Sequence, residues 1–343
     1  MPEVTTIGLD IAKNVFHAHG SDSRGRGIFS KRLSRAKVLD FFAAQSPCTV
    51  AMEACGGAHH WGRELMALGH DVRLIPPAYV KPFVKRQKTD AVDAEAICEA
   101  AQRPTMRFVA VKSAEQQAFA LVFRTRDLLV RQRTQLVNAI RGHLTEYGWV
   151  APKGVSYISM LGDMLEEEIA ASLPTTAVAM FRLMLDLLAE LDERIAYLDR
   201  EIARRAREDE TARRLMTIPG IGPITATALT ALAPAAETFA KGRDFAAWLG
   251  LTPSQRSTGG KQKPGATSKM GERTLRRLLI IGASAVVKQA SRRGTPKGSW
   301  LERMLERKPR MLVTVALANK MARIVWALLA KGGIYRAPAA AAA

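Results

Sequence analysis

The first 75 residues alternate short apolar runs with helix-like stretches, and this order limits the possible fold more than any other feature. The apolar runs have strand length and lie at 5–10, 15–20, 28–32, 47–53 and 71–75. Between them, residues 34–44 and 59–68 have the pattern of helices. Strands that alternate with helices predict an α/β sheet with helices packed on it.

Two of the apolar runs end in a carboxylate, Asp10 and Glu53, and a later helix-like stretch carries Asp90 and Asp93. A spacing of three residues places the last two on one helix face. Carboxylates that converge repel one another unless a cation lies between them, and Mg²⁺ prefers oxygen ligands. The four residues are therefore candidate metal ligands. Glu95 is a rival for one ligand position, although it faces away from Asp90 on the helix. A single aspartate at a strand end is commonly a turn residue, so the prediction rests on the whole set.

The charge balance points to a polyanionic partner. Lys and Arg total 51 against 32 Asp and Glu, a formal net charge of +19. Such an excess predicts salt-sensitive binding to nucleic acid, and the alternative is a generally basic protein. An acidic metal site in a basic chain indicates phosphodiester chemistry.

Composition also argues against several classes of protein. Cys48, Cys55 and Cys98 have no zinc-like spacing, so we expect reduced, mostly buried thiols. The N-terminal residues lack a signal-peptide pattern, and no uninterrupted apolar run of about 18 residues predicts a membrane span. We therefore expect a cytoplasmic, nucleoid-associated protein with no membrane partner.

The middle of the chain has the pattern of long helices. A helical stretch from about 113 to 147 carries five arginines, which form either a solvated face or a nucleic-acid contact. Apolar residues then alternate at spacings of three and four: Phe181, Met184, Leu188, Leu191, Ile195, Leu198 and Ile202. This heptad series predicts a coiled coil, in cis or between subunits, and one helix of a bundle is the alternative.

Residues 211–335 have the pattern of a second, mostly helical domain, followed by a low-complexity tail at 336–343 that we expect to be disordered. Gly220 and Gly222 lie in a turn typical of a helix-hairpin-helix, which binds a DNA backbone; a plain connecting turn is the alternative. A Gly-, Ser- and Lys-rich stretch at 252–271 contains Ser257 beside glycines and cations, so its hydroxyl could approach a phosphate. The alternative is a flexible basic loop.

The other nucleic-acid candidates are basic residues near these two sites, some of which could simply be solvated. They are Lys85, Arg86, Lys88, Lys261, Lys263, Lys269, Arg273, Arg276 and Arg277.

Taken together, the motifs resemble those of a known family. They read GLDIAK at 8–13, MEACG at 52–56, KTDAVDAE at 88–95, IPGIG at 218–222 and GLTP at 250–253. This set is similar to the DEDD transposases of the insertion-sequence 110 family, relatives of the Piv-type DNA invertases, over roughly residues 5–330. The stretches 52–61 and 79–117 resemble the subgroup typified by insertion sequence 1111.

The resemblance implies a fold and a set of site residues. It implies a RuvC-like, RNase-H-type domain at 1–110, assembly helices at 111–210 and a C-terminal transposase domain at 211–335. Asp10, Glu53, Asp90 and Asp93 would be the DEDD tetrad that binds Mg²⁺, with Mn²⁺ as a substitute. Ser257 matches the position of the family's nucleophile, and the neighbouring hydroxyls of Ser254 and Thr258 leave that assignment open.

The resemblance also implies partners. Members of the family recombine donor and target DNA, use a noncoding bridge RNA from their own element, and assemble from dimers into tetramers.

Our mechanistic hypothesis is that Ser257 attacks a DNA phosphodiester with Mg²⁺ at the tetrad. One alternative is a metal-dependent junction resolvase that uses water, and another is a noncatalytic nucleic-acid-binding protein. An actin-like sugar kinase is disfavoured, because residues 11–13 lack the small residues that wrap phosphate.

Overall fold

The structure is a computed structural model that describes residues 3–85, 89–150 and 172–337. Arg86, Lys88 and most of the expected disordered tail lie outside these residues. So does most of the stretch 152–174, for which the sequence predicts a break and a short acidic helix. The chain divides into two compact units, Met1–Gln117 and Ala118–Ala343.

The first unit is built on a five-stranded mixed sheet. Its strands are β1 (Thr6–Asp10), β2 (Val15–Ser21), β3 (Gly27–Ser34), β4 (Thr49–Glu53) and β5 (Asp71–Ile75). The strand order is β3-β2-β1-β4-β5. Strands β1, β2 and β3 pair antiparallel, whereas β1–β4 and β4–β5 pair parallel. The predicted α/β sheet is therefore confirmed.

Helices cover both faces of this sheet. They are α1 (Val38–Ala43), α2 (Ala58–Ala67), α3 (Pro77–Val80) and α4 (Asp90–Ala101). Side chains alternate between the faces along a strand. Leu9 and Met52 belong to a core with Trp61 of α2, whereas Ala51 belongs to a separate core with Ile97 of α4.

The second unit contains two long antiparallel helices, α5 (Ala114–Glu146, whose first residues belong to the first unit) and α6 (Thr175–Glu208). The Arg126 guanidinium binds the Asp199 carboxylate through two nitrogens, and Arg133 binds Asp192. Arg133 lies seven residues after Arg126 on α5, and its partner Asp192 lies seven residues before Asp199 on α6. The two helices therefore run antiparallel.

The heptad series lies on α6, and one residue of each heptad faces the interior of the protein. The residues that repeat every seven positions are buried: Phe181, Leu188, Ile195 and Ile202. Val137, Ile140 and Leu144 of α5 belong to the same core as Phe181 and Leu188. Within the described residues, the first half of the heptad face of α6 therefore packs against α5 of the same chain.

The rest of the second unit is mainly helical. Its elements are α7 (Glu210–Met216), α8 (Pro223–Leu232), α9 (Gly242–Trp248), β6 (Pro253–Gln255), β7 (Pro264–Thr267), α10 (Arg273–Arg293), α11 (Trp300–Arg307) and α12 (Arg310–Lys331). The 252–271 stretch is a β-hairpin, which corrects the expected loop.

Helix α12 is long and apolar enough, by length and composition, to cross a membrane. It nevertheless contributes Ala318, Met321, Ala322 and Val325 to the largest core of the second unit. One such helix is weak evidence for a span, since the core helix of a soluble protein has the same composition.

Candidate active site

Asp10 and Glu53 end two adjacent parallel strands. The register pairs Leu9 of β1 with Met52 of β4, so Asp10 and Glu53 follow as the next residues on neighbouring strands. Both lie on the face that carries Gly8 and Ala51, because side chains alternate along a strand. Both are half-buried. They also raise the pKa of the nearby Cys55 thiol, in addition to the larger effect of its burial.

Helix α4 crosses this face in the direction opposite to β1. A Cβ atom built on Gly8 would lie 2.2 Å from the Ala94 carbonyl oxygen, and the Cys98 sulfur lies 3.6 Å from the Thr6 carbonyl oxygen. As β1 advances from Thr6 to Gly8, α4 therefore recedes from Cys98 to Ala94. The same course brings the N-terminus of α4 towards the end of β1, where Asp10 lies.

The first turn of α4 carries the other two carboxylates. Thr89 caps the helix through its side-chain oxygen, which accepts a hydrogen bond from the Val92 N–H. Asp90 and Asp93 then occupy the first turn, where the helix dipole favours negative charge. The capping threonine and the two aspartates thus form a helix start that the sequence alone specifies.

His17 is a site residue that the sequence analysis missed. It lies directly opposite Asp10 in the β1–β2 pair, and its Nε2 atom is 3.7 Å from an Asp90 carboxylate oxygen. The His17 side chain is 19% exposed and that of Asp90 is 67% exposed. The alternation of His17 and His19 along β2 is a signal that could have revealed it, since both share the face of Asp10.

Asp10 and Glu53 share one face and one edge of the sheet, Asp90 lies beside His17 on that face, and Asp93 is one helical turn after Asp90. Their donor chemistry suits a hard divalent cation. No group of three or more His, Cys, Asp or Glu side chains forms a ready metal site within the described ranges. The residues present therefore fit a metal by the type of their donor atoms, although they do not form a closed set of ligands.

Glu95, the rival ligand, has another partner. The Lys85 ammonium lies 2.6 Å from a Glu95 carboxylate oxygen, and this pairing lowers the pKa of Glu95. His59 accepts a hydrogen bond from the Lys112 N–H, and His60 lies 3.7 Å from Glu64. These contacts give Glu95, His59 and His60 structural partners.

Ser257 lies near the tip of the β6–β7 hairpin. The Arg256 N–H donates to the Lys263 carbonyl oxygen, and Thr258 pairs with Lys261 across a two-residue turn. Gly259 and Gly260 both have positive φ, at 53° and 76°, which is the requirement of a type I′ hairpin turn. The glycines that made this stretch resemble a loop are therefore what makes it a tight hairpin.

The hydroxyls of the hairpin differ in what they bind. Ser257 is exposed; its hydroxyl donates to the Gln255 side-chain oxygen and accepts from the Lys263 N–H. The Ser254 hydroxyl donates to the Ala266 carbonyl oxygen, inside the hairpin ladder. Neither partner of Ser257 is a base, so its activation as a nucleophile has to come from another group.

The base of the hairpin is held tightly by backbone contacts. A Cβ atom on Gly250 would lie 2.1 Å from the Met270 carbonyl oxygen, and one on Gly271 would lie 1.7 Å from the Trp248 carbonyl oxygen. The Arg276 guanidinium donates to the carbonyl oxygens of Leu249 and Met270. These contacts fix the direction in which the hairpin leaves the helical core.

The turn between α7 and α8 packs against α10. A Cβ atom on Gly220 would lie 2.7 Å from the Gly282 carbonyl oxygen, and one on Gly282 would lie 2.0 Å from that of Gly220. This face of the turn is therefore occupied by protein. Gly222, by contrast, is exposed and has no atom within 4 Å of its Cβ position.

The remaining candidate nucleic-acid residues fall into two groups. Lys85 pairs with Glu95, Arg277 pairs with Asp127 of α5, and Arg276 clamps the hairpin base. Four others are exposed: Lys261, Lys263, Lys269 and Arg273. The stretch 252–271 carries four cations and no carboxylate, so the surroundings of Ser257 favour a phosphate.

Comparison with known proteins gives matches in both units. The model of the IS110-type DEDD transposases matches residues 7–148, which include all four carboxylates. The model of the transposase IS116/IS110/IS902 family matches residues 212–296, which include the serine hairpin.

Relatives align along nearly the whole chain. A protein named "Probable family 20 transposase" from Pseudomonas aeruginosa is 50% identical over 336 residues, covering 97% of this chain and 99% of the relative. The transposase for insertion sequence element IS1328 of Yersinia enterocolitica is 41% identical, covering 98% and 99%. That for IS1111A of Coxiella burnetii is 39% identical, covering 98% and 92%.

These matches show that the chain, an α/β unit joined to a mostly helical unit, is a DNA transposase. The chain belongs to the IS116/IS110/IS902 transposase family. Membership implies DNA substrates and a divalent metal ion.

Proposed function

We propose that this transposase cuts and rejoins DNA strands through a covalent serine intermediate, with Ser257 as the nucleophile and Asp10, Glu53, Asp90 and Asp93 as ligands of Mg²⁺. The observation that carries the proposal is the exposed Ser257 hydroxyl on a fixed hairpin whose charged side chains are all cationic. The position of Asp10 and Glu53 at one sheet edge, with Asp90 beside His17 on the same face, supports it.

In the first step, the Ser257 Oγ atom attacks the phosphorus of a DNA phosphodiester. The new Oγ–P bond replaces the bond to the 3′ oxygen, which leaves as a 3′ hydroxyl after taking up a proton. Lys261 and Lys263 stabilise the negative charge on the phosphoryl oxygens, because they flank the serine and have no carboxylate nearby in the hairpin.

In the second step, the 3′ hydroxyl of the other duplex attacks the phosphoserine and releases Ser257. Each broken phosphodiester is replaced by a new one, so strand exchange requires no external energy. A divalent cation, when bound by the tetrad, neutralises phosphate charge and favours deprotonation of the attacking hydroxyl. The absence of a base among the contacts of Ser257 supports a need for such help.

We further propose the partners that the family resemblance implies. A bridge-type RNA from the element selects donor and target DNA by base pairing, and the protein acts as dimers that assemble into a tetramer, in the cytoplasm and on the nucleoid. The fold supports a RuvC-like assignment for the first unit, because carboxylates at the end of β1 and β4 face a helix that carries two more. The turn at 217–222 is proposed to act as a helix-hairpin-helix, with exposed Gly222 towards a DNA backbone.

The main rival is a metal-dependent junction resolvase that uses water. It requires the carboxylates but not the serine, and it forms no covalent adduct. A noncatalytic binding protein requires neither, so substitutions at both sites distinguish the three functions.

The test uses purified protein, Mg²⁺, RNA from the flanking noncoding DNA, and labelled donor and target duplexes. We expect a denaturation-resistant protein–DNA adduct that is lost in Ser257→Ala and falls at least about a hundredfold in Asp10→Asn. Ser254→Ala is the matched control for the serine, since the Ser254 hydroxyl donates to a carbonyl oxygen of the hairpin. Asp71→Asn is the matched control for the carboxylate, since Asp71 begins β5, whereas Asp10 ends β1.

Each alternative gives a distinct result. Cleavage that persists in Ser257→Ala without an adduct would exclude the phosphoserine mechanism and favour the resolvase. An adduct lost in Ser254→Ala but kept in Ser257→Ala would move the nucleophile to Ser254.

A further inference from the structure

A second basic site lies in the C-terminal unit, outside the serine hairpin. It is a concavity of about 510 Å³ between the start of α9, the second half of α12 and the segment after α12. Its charged lining residues are all cations: Lys241, Arg243, Lys320, Arg323 and Arg336. Three separate chain segments thus contribute positive charge to one hollow.

These cations have no acidic partners. Within the described part of the chain, none of the five has a carboxylate within 4 Å, whereas other arginines of the same unit, such as Arg126, Arg133 and Arg277, do. Acidic residues close by in sequence, Glu237 and Asp244, do not line the hollow. A concave surface lined only by cations concentrates positive potential and attracts an anion.

Lys320 shows that this charge is uncompensated. Its ammonium lies 4.6 Å from the centre of the Trp300 ring. Burial lowers the pKa of Lys320, and the like charges of Arg323 and Arg303 lower it further. A polyanion placed in the hollow would relieve this repulsion.

Aromatic and apolar side chains share the lining. Trp326 and Tyr335 are half-buried, and Ile334 is 56% exposed. The Trp326 indole N–H donates to the Ala236 carbonyl oxygen, and the Tyr335 backbone N–H donates to the Thr217 hydroxyl. Both aromatic residues are therefore anchored to the unit. Cations that track a phosphate backbone beside aromatic rings are typical of sites for single-stranded nucleic acid.

The hollow and the serine hairpin lie at opposite ends of α9. Lys241 and Gly242 begin the helix at the hollow, and Trp248 ends it at the hairpin base, where Gly271 contacts its carbonyl. Seven residues of α-helix span about 10 Å, so the hollow lies close to the base of the hairpin.

We propose that this concavity binds a single-stranded polynucleotide segment, with the guanidinium groups on its phosphates and an unstacked base against the aromatic lining. The proposal adds to the serine chemistry a site that holds a strand away from the point of cleavage. It rests on the proposed function only in that both act on nucleic acid. The same chemistry serves an unpaired stretch of guide RNA or a displaced DNA strand.

The test measures equilibrium binding of fluorescent 12-nucleotide poly-dT and poly-U strands, and of a duplex, in EDTA. The variant is Arg243→Gln/Arg323→Gln, and the control is Arg292→Gln/Arg293→Gln, which removes the same charge from exposed residues at the end of α10. We expect about a tenfold loss of single-strand affinity in the variant and less than twofold in the control. The slope of log affinity against log salt should become shallower by about 1.4 for two lost contacts.

The two strands identify the source: a larger effect on poly-U assigns the site to RNA, and a larger effect on poly-dT assigns it to DNA. Equal losses in variant and control, or a loss confined to the duplex, would overturn the proposal. Because the assay contains no metal and requires no cleavage, its failure is independent of the adduct test of Ser257. Circular dichroism of both double variants checks that each is folded.

Discussion

His17 shows, at the scale of single residues, how a side chain outside every motif joins the site. It lies opposite Asp10 in the sheet and 3.7 Å from Asp90. A group in contact with a metal-ligating carboxylate commonly sets its orientation. In the proposed metal site, His17 is therefore expected to position Asp90 without contacting DNA or metal itself.

The first residue-scale prediction concerns His17→Gln, with His19→Gln as its matched control two residues along the same strand face. Because His17 faces Asp90, its loss should raise the Mg²⁺ concentration for half-maximal adduct formation about tenfold. His19→Gln should change that concentration less than twofold. The binding of Mn²⁺ in the absence of DNA, measured by electron paramagnetic resonance, should weaken in parallel. Equal effects of the two variants would contradict a role specific to His17.

The cysteines are a further point at this scale, since only part of their expected character is observed. Cys48 and Cys98 are buried free thiols, and burial raises the pKa of Cys48 to about 11. Cys55 is exposed, which corrects the expectation for that residue. The difference arises because Cys55 follows the end of β4, where the chain leaves the sheet.

At the scale of elements, glycines decide how closely helices approach their neighbours. Gly8 allows α4 to press on β1, and the mutual contact of Gly220 and Gly282 allows the α7–α8 turn to press on α10. Gly142 also lies within a helix, α5, but has no atom within 4 Å of its Cβ position. The two helical glycines therefore differ: Gly282 is required for close packing, whereas Gly142 is not.

The element-scale prediction compares Gly282→Ala with Gly142→Ala. Alanine favours helix over glycine by about 1 kcal/mol, so Gly142→Ala should raise the melting temperature of the second unit by roughly 2–4 °C. Gly282→Ala should instead destabilise it by about 1–3 kcal/mol, because its Cβ atom would clash with the Gly220 carbonyl. Differential scanning calorimetry checks both, and stabilisation by Gly282→Ala would show that the two elements are not in contact.

At the scale of the whole molecule, the two units have separate cores. The first unit fills both faces of its sheet with its own residues, including Phe16 and Trp61 on one face and Ile97 on the other. A domain of this size with a core on each sheet face buries enough apolar surface to fold alone.

The whole-molecule prediction is that residues 1–113, expressed alone, form a folded domain. We expect cooperative urea unfolding and dispersed amide resonances in nuclear magnetic resonance spectra. Phe16→Ala in this fragment should lower its stability by about 3–5 kcal/mol, since the ring is fully buried against Trp61. Non-cooperative unfolding of the unsubstituted fragment would show that the first unit depends on the second.

The sequence determined those features that depend on near neighbours in the chain. The strands that end in Asp10 and Glu53, the capped helix start with Asp90 and Asp93, and the heptad series of α6 follow from short-range patterns of side chains. Periodicity and capping depend on residues a few positions apart, so a single sequence is enough to predict them.

Other features were decided only by tertiary structure, because they depend on residues far apart in the chain. The ion pair of Arg126 with Asp199 joins α5 to α6, and strand register brings His17 to Asp90. The glycines near Ser257 signal flexibility by composition, but cross-strand hydrogen bonds turn them into a fixed hairpin. The cationic hollow combines three segments up to 95 residues apart. Such proximity results from packing, which no local pattern encodes.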